Sequence, residues 1–443
     1  MNWTGIMSGR LKIGFLLDTF KRLDYVISDS SINNGIGGTQ HVTLRTAITL
    51  SQHQMFQVYL LLPERQRVEE LPSTIKLVRI ADIANEVGKF CQKANLEILV
   101  DSTQYRNLSP NVLDDFINSL GSTRYIARFT TNPRPSILTA LSSSNRCVAC
   151  VTGGQQQWDA LRWHDIITKT VNIDSFFDHA PYRKFVRPYR PKSNIITYVG
   201  ALYPVKGFDV LARAWPEIAS KVPNAKLNVI GSATLYREDV ELGGYGLAES
   251  RYERTFMRWL VLRNGEIDPR VKFFGRMGVE RLNIMSQSSI VVANPRGISE
   301  TSCAVAKEAA SLGIPLVAYR GYAFLDFSVP QSTSILVRGS RQLARKIIWL
   351  LNSPGTLESM SANSLQYSAT FTPEYTNERW AALLLKASRT STLYQKPPLS
   401  MSYCFHRGKV FREFSRRMKL QWPAVMLSKV LYSARERFRA LVG

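Results

Sequence analysis

Cysteine is scarce in this sequence: five residues, an odd number thinly spread, give no disulfide framework. Long apolar runs are missing too. No stretch approaches the roughly 20 uninterrupted apolar residues that span a bilayer, which argues against an integral helix but leaves surface attachment open. The opening residues hold no apolar core with a small-residue cleavage site, so no signal peptide is indicated and a reducing cytoplasm is the expected compartment. Histidine is limited to five residues, and no His/Cys/Asp cluster has the spacing of a structural zinc site. Cys147 and Cys150 form a lone C-x-x-C in a strand-like run, where an offset of three puts the thiols on opposite faces, so no metal or redox role is expected of them. There is no Asp-x-Asp metal centre either.

What is present is length, a core and charge. The chain has 443 residues, 45% of them hydrophobic, enough for two or three ordinary folded domains. Lys and Arg number 57 against 34 Asp and Glu, a net +23, which calls for an anionic partner: nucleic acid, membrane surface or phosphorylated substrate. A basic groove interleaved with aromatics, or a recognisable nucleic-acid module, is not found in the main body, so nucleic acid is not the expected partner.

Short β-rich apolar runs alternate with amphipathic stretches of helical period, the pattern of parallel α/β layers. The first series has strands at Leu11 to Leu17, Phe56 to Leu62, Ile75 to Ile80, Glu97 to Val100, Tyr125 to Phe129 and Cys147 to Val151. A basic segment with Pro181, Pro188 and Pro191 reads as a linker. The second series has strands at Ile195 to Val199, Lys226 to Ile230, Val271 to Phe274, Ile290 to Ala293, Pro315 to Ala318 and Ile335 to Val337. Residues 232 to about 268 form a long connection with Gly243, Gly244 and Gly246, read as an insertion that lines a cleft.

The region richest in chemistry runs from Ile290 to Ala318: a buried strand, the loop Asn294-Pro295-Arg296-Gly297-Ile298-Ser299-Glu300, a helix expected from about Thr301 to Ser311, and Gly313-Ile314-Pro315 opening the next strand. A helix start offers free N–H groups to phosphate, and Ser299, Thr301 and Ser302 suit capping. Glu300 at the mouth and Glu308 eight residues on would lie roughly 12 Å apart along a helix axis, the scale of a diphosphate with a sugar at each end. Alone, two such Glu are more often solvated surface charges.

The Glu300-x7-Glu308 spacing, Ala309 after Glu308 and Gly313-x-Pro315 resemble the donor-binding motif of glycosyltransferase family 4, which has the GT-B fold. Tyr198-Val199-Gly200 through Lys206-Gly207, Pro223 to Gly231, and Phe273-Phe274-Gly275 resemble further elements of that family in the same order. Gly37-Gly38-Thr39-Gln40 is similar to its N-terminal Gly-Gly motif. The resemblance covers about residues 11 to 385, strong in the second half and weak in the first. It implies two Rossmann-like domains facing across a cleft: an acceptor domain at 1–185, a nucleotide-sugar domain at 186–372 and a returning helix at 373–388; the linker and basic amphipathic tail at 389–443 are read from composition and lie beyond it. It further implies that Glu300 orients the transferred sugar and Glu308 holds the ribose. Lys206 and backbone around Gly37, Gly38 and Thr301 would stabilise the leaving diphosphate, with Gly200, Gly275, Ser299 and Ser302 around the donor, no metal and no other cofactor. Two departures stand out. Ala201 occupies the family's usual Arg position, and Arg276 or Arg296 is the expected substitute cation. After Phe129 the chain reads Thr130-Thr131-Asn132-Pro133, without the family's usual His. His41, next to the Gly-Gly motif, faces either the cleft or solvent.

The reading is a retaining glycosyltransferase moving a sugar from a nucleotide-diphosphate donor to a glycan or lipid-linked glycan, in cell-surface polysaccharide or lipopolysaccharide synthesis. The alternatives are a catalytically silent GT-B scaffold, or a GT-B epimerase or phosphorylase. The last 43 residues carry ten Lys/Arg against two Asp/Glu, +8 of the total. Within 425–442, Leu427, Val430, Leu431, Ala434, Phe438 and Leu441 share one helical face, with Lys429, Arg435 and Arg439 largely opposite. Phe411, Phe414 and Met418 repeat the pattern upstream, and Trp422 lies between. That composition suits an anionic membrane surface met through residues 405–442, with the enzyme peripheral on the inner face. Deleting residues 401–443 is expected to abolish sedimentation with anionic liposomes; unchanged binding would refute the membrane role.

Overall fold

The computed structural model describes residues 9–19, 22–102, 108–188, 193–235, 240–297, 300–390 and Met418. The first sheet contains β1 (Leu11–Leu16), β2 (Phe56–Pro63), β3 (Ile75–Ile80), β4 (Ile98–Asp101), β5 (Arg124–Phe129), β6 (Cys147–Thr152) and β7 (Thr170–Asn172), in the order β3-β2-β1-β4-β5-β6-β7. The second contains β8 (Ile195–Val199), β9 (Lys226–Ile230), β10 (Val271–Gly275), β11 (Ile290–Ala293), β12 (Leu316–Tyr319) and β13 (Ser334–Val337), in the order β10-β9-β8-β11-β12-β13. All the pairings within both sheets are parallel, so helices must cover both faces. This is the doubly wound arrangement expected, twice over. The three-residue β7 was not anticipated, being too short for a periodic signal; it is fixed by β6 and by Trp158, whose indole N–H donates to the Thr170 carbonyl at 2.9 Å.

In each sheet the strand order reverses between the first and fourth strands, β1/β4 and β8/β11. Ligands of open α/β sheets sit beyond the carboxyl ends of strands at such a switch point. The two switch points open onto one shared cavity.

Two connections differ from a linker-like or insertion-like reading. Ala180–Phe185 is a short 3-10 helix that buries Tyr182 against the second domain's helix Ala304–Ser311. In the long connection, Ala248, Tyr252, Phe256 and Met257 join the second domain's core, while Ser232 and Leu235 line the cavity.

The C-C pair requires a correction. The thiols of Cys147 and Cys150 lie together, 3.9 Å apart, because β6 has a bulge: Tyr125 pairs with Cys147 but Ile126 pairs with Ala149. One extra residue shifts the alternation, so an offset of three returns to the same face. Both are free and fully buried, and burial pushes the Cys150 thiol well above its ordinary value, leaving it inert core.

After the second domain the chain crosses back. Helix Pro373–Arg389 places Trp380, Leu383, Leu384, Leu385 and Ala387 in the first sheet's core, with Trp380 edge-on to Phe15. The linker and basic tail from residue 391 onward lie outside the described residues, apart from Met418. Because Trp380 is 1% exposed, Trp380→Ala should cost about 3–5 kcal/mol, read by urea denaturation. A loss under about 1 kcal/mol would mean that the returning helix is not part of the first domain's core.

Candidate functional site

The cavity between the domains has a volume of about 1230 Å³. The first domain contributes the ends of β1, β4 and β5 and the start of helix Gly38–Ser51; the second contributes the ends of β8, β9 and β11 and the segment Glu300–Glu308.

Its best-defined contact joins two turns. Pro204–Lys206 is a 3-10 turn ending in Gly207 at φ +68, and a Cβ there would lie 2.5 Å from the Cβ of Arg296 and 2.8 Å from its nitrogen. Glycine therefore lets the two backbones touch. The opposing loop is bent by Asn294, at φ +33, and by Gly297, at φ +73, whose N–H donates to Asn294 Oδ1 at 2.9 Å. A Cβ on Gly297 would run into the Tyr319 ring at 2.2 Å. The result is that Lys206 Nζ meets Glu300 Oε1 at 2.5 Å, and Asn294 Nδ2 donates to the same oxygen at 2.9 Å.

Glu308 is held similarly. Its Oε1 accepts from Arg281 and, at 3.3 Å, from the Tyr182 hydroxyl, and the residue is 3% exposed. Burial is the strongest single influence on Arg281 and opposes its charge, yet Glu308 and its other partners leave the guanidinium above its ordinary value. Burial, with Glu308 beside it, raises the Tyr182 phenol far out of range. In both carboxylates the protein's hydrogen bonds fall on Oε1; among the described residues Oε2 receives none.

The helix carrying Glu308 starts later than expected, at Ala304, with Cys303 as an N-cap that makes no side-chain bond. Glu300 is thus in the loop and not on one axis with Glu308. Thr301 does not cap either: its hydroxyl donates across the cleft to the Thr130 carbonyl at 2.8 Å, pulling this segment toward the first domain. Thr301 and Ser302 line the cavity; Ser299 lies outside the described residues.

The glycines divide. Gly38 and Gly200 line the cavity. Gly37 is the helix N-cap, and a Cβ on it would meet the Gln40 side chain at 2.2 Å. Gly275 accepts from Gly231 N–H at 2.8 Å, tying the end of β10 to the end of β9, and is not in the lining. The two candidate cations also divide. Arg276 lines the cavity and pairs across it with Asp24 at 2.8 Å, whereas Arg296 pairs with Asp209 outside the lining. Ala201 sits buried at the cavity wall.

Sequence reasoning missed Arg281, Tyr182, Asn294, Arg128 and Lys307. Arg128 had a visible signal, a cation inside the apolar run Tyr125 to Phe129, and Asn294 followed directly on a buried strand. Arg281 and Tyr182 had none, since their roles arise from elements far apart in sequence.

Residues 183–367 match the family model described as glycosyl transferases group 1. That match spans about two fifths of the chain. Among curated proteins, the chain is 28% identical over 206 residues to a D-inositol 3-phosphate glycosyltransferase of Rhodococcus jostii, covering 46% of this chain and 42% of that one. It is 30% identical over 191 residues to the protein of the same name from Rhodococcus erythropolis, covering 42% and 40%. The chain thus spans about two fifths of the length of the curated relatives it matches. Among solved structures, sucrose-phosphate synthase from Thermosynechococcus elongatus superposes with a TM-score of 0.62 at 18% identity, over 85% of this chain and 99% of that one. Anabaena HepE in complex with UDP and glucose gives 0.59 at 14%, over 85% and 100%. The fold is GT-B.

His41 neither lines the cavity nor lies exposed. Burial first, then the charges of Arg45 and Arg281, lower its pKa from 6.5 to about 3. The unfolded chain takes up this proton near pH 6.5 and the folded chain does so only near 3. Its contribution to stability is therefore complete above about pH 6.5 and is lost as pH falls through that window. Wild type should lose melting temperature between pH 7 and pH 5, and His41→Asn should lose less; equal slopes would place the acid sensitivity elsewhere.

Proposed function

We propose that this protein is a family 4 retaining glycosyltransferase. It moves a sugar from a nucleotide-diphosphate donor to a hydroxyl of a glycan or lipid-linked glycan, without a metal. The observation that carries this reading is the pair Glu300 and Glu308 at the two ends of one loop-and-helix segment on the cleft. Each has one oxygen held by a cation and the other, among the described residues, without a hydrogen bond. Fixed carboxylates with a spare acceptor suit sugar hydroxyls, which donate well and carry no charge.

In this reading Glu300 orients the transferred sugar and Glu308 takes the ribose hydroxyls. Lys206 fixes the Glu300 carboxylate and adds positive charge near the bond that breaks. Charge develops on the diphosphate as it leaves, and the backbone at the starts of the helices Gly38–Ser51 and Ala304–Ser311 supplies N–H groups and partial positive charge toward it. Arg276 is the better substitute for the cation lost at Ala201, because it lines the cleft and Arg296 does not. The acceptor enters over the first domain, and the basic tail at 405–442 holds the enzyme on an anionic membrane where lipid-linked glycans lie.

The test begins with a thermal-shift panel of UDP, GDP, ADP and their sugar conjugates, since a ligand specific to the folded state raises its melting temperature. One nucleotide should stabilise wild type and lose its effect in Glu308→Ala. With that donor, Glu300→Gln should lower turnover about 100-fold or more while the nucleotide shift persists. No shift with any nucleotide, or full turnover in Glu300→Gln, would overturn the assignment.

A further inference from the structure

At the base of the cleft, where β5 of the first domain faces helix Ala304–Ser311 of the second, lie two cations that the donor site does not use. Arg128 is 7% exposed and Lys307 3%, and both line the cavity. The Arg128 guanidinium donates to the Thr43 hydroxyl at 3.0 Å and, at 3.3 Å, to the Ser175 hydroxyl. Lys307 Nζ donates to the Ser175 carbonyl at 2.9 Å and sits 4.1 Å from the centre of the Phe327 ring.

Among the described residues neither cation forms an ion pair, and every hydrogen-bond partner of either is neutral. A guanidinium offers five N–H donors and an ammonium three, so most of that capacity is unspent. Two buried charges side by side without a counter-ion are expensive. Desolvation lowers Arg128 to about 10 and Lys307 to about 8. The nearby carboxyls Asp174 and Asp326 favour the Lys307 charge from a distance, but among the described residues neither pairs directly with either cation. Asp326 accepts the Gln156 backbone N–H at 2.9 Å, and burial pushes its pKa up to about 7; Asp174 accepts from Asn172 at 3.1 Å.

We propose that Arg128, Lys307 and the Ser175 hydroxyl form a subsite for an oxyanion on the acceptor, a phosphate monoester or a carboxylate, bound on the first-domain side of Glu300. The site is built for it: a planar fork fixed by two hydroxyls on one side, a compact ammonium on the other, and an opening onto the cleft. Lys307 adjoins Glu308 in sequence but is turned about 100° around the helix from it, so one helix serves the donor on one face and the acceptor on the next. This inference rests on the transferase reading, in that it assigns the first-domain side of the cleft to the acceptor.

The test titrates the full chain with inorganic phosphate and with acetate, against chloride at matched ionic strength, with and without the nucleotide diphosphate selected by the panel, reading melting temperature. Phosphate or acetate should stabilise wild type with nucleotide bound, and binding should weaken about tenfold or more in Arg128→Gln and in Lys307→Met. The stronger of the two anions assigns a phosphorylated or a carboxylate-bearing acceptor. Equal stabilisation of wild type and both variants, or none beyond chloride, overturns the subsite. Anion binding abolished by the nucleotide would make this part of the diphosphate site and overturn the acceptor assignment. Anion binding that needs Arg128 while no nucleotide binds would keep the anion site and defeat the transferase reading instead. Should Arg128→Gln not fold, Ser175→Ala and Arg128→Lys supply the comparison, since they remove one hydroxyl or the planar fork while keeping the charge; binding unchanged in both overturns the proposal.

Discussion

The contact between the Pro204–Gly207 turn and the Asn294–Gly297 loop governs the geometry of the cleft. The two segments follow β8 and β11, which are neighbours in the sheet, so the topology brings them together and glycine lets them touch. Once they touch, the Lys206 ammonium lies against Glu300 with both groups largely out of water, where an ion pair with further hydrogen bonds holds a definite position. A carboxylate fixed before a ligand arrives needs little reorganisation when a hydrogen-bond donor reaches it, which is how polar sites gain from preorganisation.

The same economy appears across the domain boundary. Arg276 to Asp24, Arg281 to the Asn33 carbonyl, Thr301 to the Thr130 carbonyl and Gln156 to Asp326 all join one domain to the other around the cavity. An apolar link stands beside these polar ones: Ile32 and Tyr182 pack with Val199, Ile230 and Leu282 of the second domain. Tyr182 ties the segment between the domains to Glu308, so a carboxylate of the cleft is held in part by the interdomain connection.

Most strands were legible because in a parallel sheet buried on both faces each strand is an apolar run of its own, with turn residues at its ends. The segments that carry Gly200 with Lys206 and Glu300 with Glu308 were legible because each is one short local stretch, a turn after β8 and a loop and helix after β11. Less was legible wherever a position depended on a partner far away in sequence. The start of the helix at Ala304 instead of Thr301 reflects the pull of Thr130, 171 residues earlier. The meeting of Cys147 and Cys150 reflects a bulge set by pairing with β5, which alternation within β6 alone does not reveal.

The amino-acid sequence by itself therefore determined the two α/β domains, the segment that carries the paired carboxylates and the excess of positive charge, since each is written in local periodicity, spacing or composition. Only the tertiary structure decided which charges meet. It paired Arg296 with Asp209 and Arg276 with Asp24, gave Glu308 to Arg281, and left Arg128 and Lys307 on the cleft without a carboxylate paired to either among the described residues. The physical reason is that the energy of a charge depends on its distance to other charges and to water, and both are fixed by chain segments that local periodicity does not connect.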